Sequence, residues 1–216
     1  MRHFILIAAL AGGLAVLPAP AASVRNLAFD LPAIVVSFDL SPADTPAGSP
    51  TLWHIEARRN QFSRPLTLPS GNYVASSSAF KATTQFSLPD TAGARFLLLI
   101  LPKPDGTCHI MPIADSNARI GPGDRFLLNA TGDEIAVRFG TERSTLKPGS
   151  TVVFRLPHSA SKDRRIEVEM ARKVGTAWLA FNSTYWPLDP LARSFVLIHP
   201  DPVTGTPRVR NLAEVP

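Results

Sequence analysis

Cys108-His109-Ile110-Met111 brings a thiol, an imidazole and a thioether within four residues, a donor set suited to copper. On a strand, however, His109 and Met111 face one side while Cys108 faces the other. A site with three or four ligands would then need His54, His158 or His199, each far away in sequence. Cys108 as a small buried residue and Met111 as core filler are the expected roles. His109 and Met111 stand as the metal-site alternative, and no cofactor is expected.

His199 lies near Asp201, but Pro200 intervenes and no serine is placed by sequence to complete a nucleophilic triad. Gly-x-Ser-x-Gly, His-Glu-x-x-His, paired Cys-x-x-Cys and a Gly-rich phosphate loop are all missing from the sequence. Glu167 and Glu169 share a face if their segment is a strand, and alternating charge there reads as solvated surface. No catalytic residue is assigned on these patterns.

The aromatic cluster is the better binding candidate. Trp178, Phe181, Tyr185 and Trp186 fall within nine residues and lead into the Pro-rich segment 186–190. Aromatics at a loop mouth stack on sugars or apolar peptides. Trp178, Tyr185, Trp186 and Asp189 are therefore the candidate ligand residues. The competing role is packing, with Trp178 in a core and Trp186 over its end. Two arrangements would instead favour an enzyme or a metal protein. One is a cavity shared by His109, Met111 and a second histidine; the other is His199 in reach of both a serine and a carboxylate.

The elements that must position these residues read as strands. The 21 prolines and 13 glycines punctuate short apolar runs, the grammar of an all-β chain. Strands are predicted over 33–40, 52–58, 72–75, 83–88, 95–101 and 108–113. After Gly121-Pro122-Gly123 the pattern restarts, with strands over 125–129, 134–139, 151–156, 177–182, 195–199 and 208–212. Segments 66–71 and 145–149 read as turns with their approaches. Residues 166–172 alternate as a strand, although Ile166, Met170 and Val174 would also share a helix face.

Two of these segments resemble each other. Ala94, Arg95, Ile100, Pro102 and Pro104 recur as Ala192, Arg193, Ile198, Pro200 and Pro202, at a constant offset of 98. Leu68 and Gly71 match Leu146 and Gly149 only at an offset of 78, so the second copy carries a longer insertion. The predicted fold is an Ig-like or Greek-key β-sandwich built from two similar units by internal duplication. The divisions are a signal peptide at 1–22, a first unit at 23–117, a Gly/Pro connector at 118–123 and a second unit at 124–216.

The start of the chain, Met1-Arg2-His3 before an apolar run to Leu17 and then Pro18-Ala19-Pro20-Ala21, reads as a secretory leader cut after Ala21 or Ala22. Losing Arg2 lowers the formal net charge from +5 to 5 − 1 = +4. The single cysteine excludes an intrachain disulfide. Although the sequence pI is about 9.9, the basic residues are scattered, so nucleic acid is not an expected partner. No transmembrane segment is expected once the leader is removed. Asn129-Ala130-Thr131 and Asn182-Ser183-Thr184 match the glycosylation sequon, which a chain of bacterial character would not use. The expectation is a non-catalytic protein of the periplasm or secreted fraction that binds or assembles with an envelope protein or polysaccharide. The alternative is a hydrolase or copper-binding protein with a site assembled from loops.

Overall fold

Period-two alternation builds this molecule, because nearly every strand must bury one face and four of them must bury both. The computed structural model describes residues 20–44, 53–91, 93–116, 119–155, 165–201 and 203–215. The expected leader through residue 19, most of the 41–50 loop, Ala118 of the expected connector, His158, residues 159–164 and Pro202 lie outside the described residues.

Among the described residues the chain forms sixteen strands in four sheets and no helix. The first eight are β1 (Ala21–Ala28), β2 (Val35–Pro42), β3 (Trp53–Arg58), β4 (Leu66–Pro69), β5 (Gly71–Ser76), β6 (Thr84–Leu88), β7 (Arg95–Pro102) and β8 (Cys108–Ala114). They form two sheets, ordered β4-β1-β7-β8 and β3-β2-β5-β6. The second eight are β9 (Arg125–Asn129), β10 (Ile135–Phe139), β11 (Glu142–Leu146), β12 (Thr151–Phe154), β13 (Arg165–Val174), β14 (Ala177–Pro187), β15 (Arg193–Pro200) and β16 (Pro207–Glu214). Their sheets are ordered β12-β9-β15-β16 and β11-β10-β13-β14. Adding eight to every strand number in the first pair of sheets reproduces the order in the second. The pairing senses coincide too: β1 runs parallel to β7, and β9 parallel to β15, while the remaining pairs are antiparallel.

Three apolar cores separate the sheets into layers. One holds Phe38, Tyr73, Phe86, Leu98 and Ile100, between the two sheets of the first eight strands. A second holds Phe139, Phe154, Val168, Trp186 and Val196, between the two sheets of the second eight. The third joins the halves through Leu27, Leu97, Leu99, Phe126, Phe195 and Leu197. Sheets β4-β1-β7-β8 and β12-β9-β15-β16 are therefore the inner layers, meeting face to face along a seam. On β7, Phe96, Leu98 and Ile100 enter the first core while Leu97, Leu99 and Leu101 enter the seam. That double burial is why the predicted central strand carries an unbroken apolar run, at roughly 1.5–3 kcal/mol per large side chain.

The segment that left a helix open is strand β13. Its alternation wins because Ile166, Val168 and Met170 fill the second core, while Glu167 and Glu169 pair with Arg138 on the outer face at 3.0 and 2.7 Å. Strands β1 and β11 had no clear sequence signal. Polar Ser23, Arg25 and Asn26 interrupt β1, and β11 reads Glu-Arg-Ser-Thr-Leu, with only Leu146 buried. β1 begins at Ala21 and Ala22 is buried against the first core, so the strand includes both candidate leader-cleavage residues.

Candidate functional site

The alternation of β8 separates the candidate metal donors as expected. Cys108 packs into the first core, where burial pushes its thiol up to about 11. His109 and Met111 face the seam, and there they line a cavity of ≈970 Å³ together with His199. The first arrangement that would favour a metal or enzymatic site is thus present as a shared cavity. It does not extend to a ligand cluster: among the described residues no group of three or more His, Cys, Asp or Glu is placed to hold an ion. His54 is exposed and pairs with Asp39 at 2.9 Å, away from the cavity.

The second arrangement is only half present. His199 Nε2 lies 3.3 Å from an Asp30 carboxylate oxygen, but their alignment leaves Nε2 without a hydrogen-bond partner. No serine lines the cavity among the described residues. Burial holds the His199 imidazole below its ordinary range, against the opposing pull of Asp30. Burial and the nearby Lys103 do the same to His109. Both shifts favour the neutral ring over the imidazolium.

The predicted aromatic residues do not converge. Trp178 is 44 % exposed on β14, beneath the Lys173 ammonium at 5.8 Å, and Tyr185 is 64 % exposed. Trp186 is only 8 % exposed and packs edge-on against Phe139 in the second core. Asp189 accepts a hydrogen bond from Leu191 N at 2.9 Å within its own loop. None of the four lines the seam cavity. Phe80, 98 positions before Trp178, packs against the first core and stacks on Phe38.

What the seam does bring together are the two repeated segments. Strands β7 and β15 end on the cavity with Leu101-Pro102 and His199-Pro200, and the hairpin loops that follow contribute Pro104 and Val203. Each loop is pinned by an aspartate. Asp105 accepts from Thr107 N at 2.9 Å and Thr107 Oγ1 at 2.6 Å. Asp201 accepts from Val203 N and Thr204 N at 2.9 and 2.8 Å, and Arg208 Nε holds its other oxygen at 2.5 Å. Asn129 fixes a third part of the lining. Its amide donates to Asp133 O and Leu146 O at 2.8 and 3.0 Å, and its oxygen accepts from Thr131 Oγ1 at 2.7 Å. Being wholly buried and so engaged, Asn129 has no free amide to carry a glycan.

No protein-family model matches this chain, and no curated protein is similar to it. The reading of the site rests on its own chemistry.

Charge along the seam is arranged in two ways. At the end opposite the cavity, Arg25, Asp115, Arg193 and Glu214 alternate in sign. Asp115 lies 2.8 Å from Arg25 and 2.7 Å from Arg193, Glu214 lies 2.7 Å from Arg193, and Arg25 also pairs with Glu214. Burial alone would raise the Asp115 and Glu214 carboxyls, but the two arginines outweigh it and hold both below the usual carboxylate range. At the cavity the balance is basic: Arg59, Lys103, Arg208 and Arg210 face two carboxylates, Asp30 and Asp201. Sequence reasoning did not single out Arg208 or Arg210, or any member of the quartet except the paired Arg193. The alternation Arg208-Val209-Arg210 was the available signal, because it puts both guanidinium groups on the face opposite a core valine.

Proposed function

We propose that the chain is an exported, non-catalytic β-sandwich protein of the cell envelope or secreted fraction, and that it works by binding a ligand in the seam cavity. The observation that carries this reading is the ≈970 Å³ cavity itself, partly open and floored by the apolar seam core, with a few pinned polar groups at its rim. That combination is the usual form of a ligand site. Export rests on the leader-like start of the sequence. Among the described residues, no helix is long and apolar enough to cross a membrane.

We further read the two halves as copies of one Ig-like unit. The coincidence of strand order and pairing sense under a shift of eight strands supports this, together with the residue matches at offset 98. If the leader is cleaved, a cut after Ala21 keeps Ala22 in the core, and amino-terminal sequencing of the mature protein checks the position.

The binding test uses the purified mature protein incubated with peptidoglycan, polysaccharides and envelope extract, beside an Ala130→Trp variant whose indole fills the cavity. Retention of a component by the parent and its loss in the folded variant is the expected result. Retention of nothing, or equal retention by both, overturns the cavity as the binding site. One observation favours a copper-binding reading instead, namely that His109, Met111 and His199 line the same cavity. A cuprous titration decides it: a stoichiometric complex lost in both His109→Ala and His199→Ala would establish that rival.

A further inference from the structure

The two walls of the cavity are equivalent in the fold and different in chemistry. Leu101 pairs with His109 across β7 and β8, and Leu99 pairs with Met111. In the second half, His199 pairs with Arg208 and Leu197 with Arg210. Because Leu99 and Leu101 match Leu197 and His199 at offset 98, Arg208 stands where the first half has His109, and Arg210 where it has Met111. One wall is thus Leu101, Met111 and the His109 imidazole, and the other carries two guanidinium groups. Between them the floor is apolar, with Phe29, Leu128 and Leu197 contributed from the seam core.

The charge at the rim is not internally balanced. Asp201 is taken by Arg208 and by its own loop. Asp30 faces Arg210 at 3.5 Å, and the His199 imidazole at 3.3 Å makes no hydrogen bond to it. Arg59 donates to Leu31 O at 2.6 Å, a backbone carbonyl that carries no formal charge to offset its own. Lys103 adds a further cation, with the exposed Asp105 of its own loop as its carboxylate neighbour. Each guanidinium carries five donors, so Arg208 and Arg210 keep several free for a ligand. A planar fork of this kind recognises carboxylate or phosphate oxygens.

We propose that the cavity takes a single-chain amphiphile with an anionic head, its hydrocarbon chain along the apolar floor and its head against Arg208 and Arg210. This rests on the cavity being the binding site and names the class of ligand it holds. Neutral apolar compounds satisfy the floor but leave the guanidinium groups unmatched, and cationic ones are repelled by them.

The test is calorimetric titration of the full mature chain with monomeric dodecanoate, dodecanol and dodecylamine, which share a chain and differ in the head. Lysophosphatidate is included to distinguish a phosphate head from a carboxylate. Dodecanoate or lysophosphatidate should bind at least about tenfold more tightly than dodecanol, and dodecylamine should not bind. Arg210→Gln should weaken the anionic ligands by about tenfold and leave dodecanol unchanged, a split that a merely structural loss would not give. Ala130→Trp should abolish binding of all of them. Equal affinity for dodecanoate and dodecanol, tighter binding of the amine, or undiminished binding by folded Ala130→Trp would each overturn the proposal. If envelope extract yields a component held only by the parent while every anionic amphiphile fails, the ligand class is wrong and the binding reading survives.

Discussion

Arg193 is 4 % exposed and Asp115 5 %, so their pairing takes place almost out of water, where removing one partner leaves the other stranded. Arg193→Ala should destabilise the protein by about 3 kcal/mol, read from urea denaturation at neutral pH. The quartet also sets an acid limit. Asp115 and Glu214 titrate below their unfolded values, so their contribution is complete above about pH 5 and is lost as pH falls through the lower folded values. Stability of the parent should therefore drop steeply below about pH 4, and a variant lacking Arg193 should show a shallower drop over the same range. His199 acts in the same direction at a higher pH. Its folded value is depressed, as is that of His109, so stability declines as pH falls below about 6.5, and His199→Leu should shrink that step without removing it. Cys108 offers a separate check. Its thiol, pushed up to about 11 inside the first core, should resist iodoacetamide at pH 8 in the native protein and react at once in denaturant, as followed by mass spectrometry.

Among the elements, β14 shows how one strand divides its aromatics between core and solvent. Among the described residues it pairs only with β13 and forms the edge of its sheet, so the residues pointing away from the second core are left open. Trp186→Ala should cost about 3–5 kcal/mol through the cavity it leaves beside Phe139, whereas Trp178→Ala should change stability by about 0.5 kcal/mol or less. Thermal denaturation of the two variants checks the contrast. At the turn joining β10 to β11, Gly140 has φ of +60°, and a Cβ there would meet Ile166 Cδ1 at 2.9 Å. A side chain at position 140 would therefore be strained by that φ and would have to displace the end of Ile166, which favours glycine at this tight turn. Strand β11 had no hydrophobic pattern to announce it; its place comes from the turn before it and from pairing with β10.

At the scale of the whole molecule, the shared burial along the seam should make the two halves unfold together. Leu27, Leu97, Phe126 and Phe195 are buried only because the inner sheets meet, and Phe62 from the first half packs edge-on against Phe195 of the second. Cys108 lies in the first core and Trp186 in the second. In a Trp53→Phe/Trp178→Phe variant, exposure of the Cys108 thiol and the fluorescence of Trp186 should give coincident unfolding curves. Separate transitions would show that the seam contributes little to the coupling.

The sequence by itself determined the strand content, because alternation and turn residues act over a few neighbours. It marked 95–101 as buried on both faces, put His109 and Met111 opposite Cys108, and paired Arg95 with Arg193. Those conclusions depend on local geometry alone. It could not show that Trp178 and Tyr185 stay in solvent, because the irregularity between Met170 and Ala171 sets the face that Trp178 takes, and the outer face of β14 is left uncovered by the tertiary packing. Nor could it bring His109, His199, Arg208 and Arg210 to one cavity. These residues come from two hairpins almost a hundred positions apart, and they meet only when two inner sheets stack. Which residues share a strand face is a property of the chain; which strand faces share a seam is decided by burial of surface that neither half can cover alone.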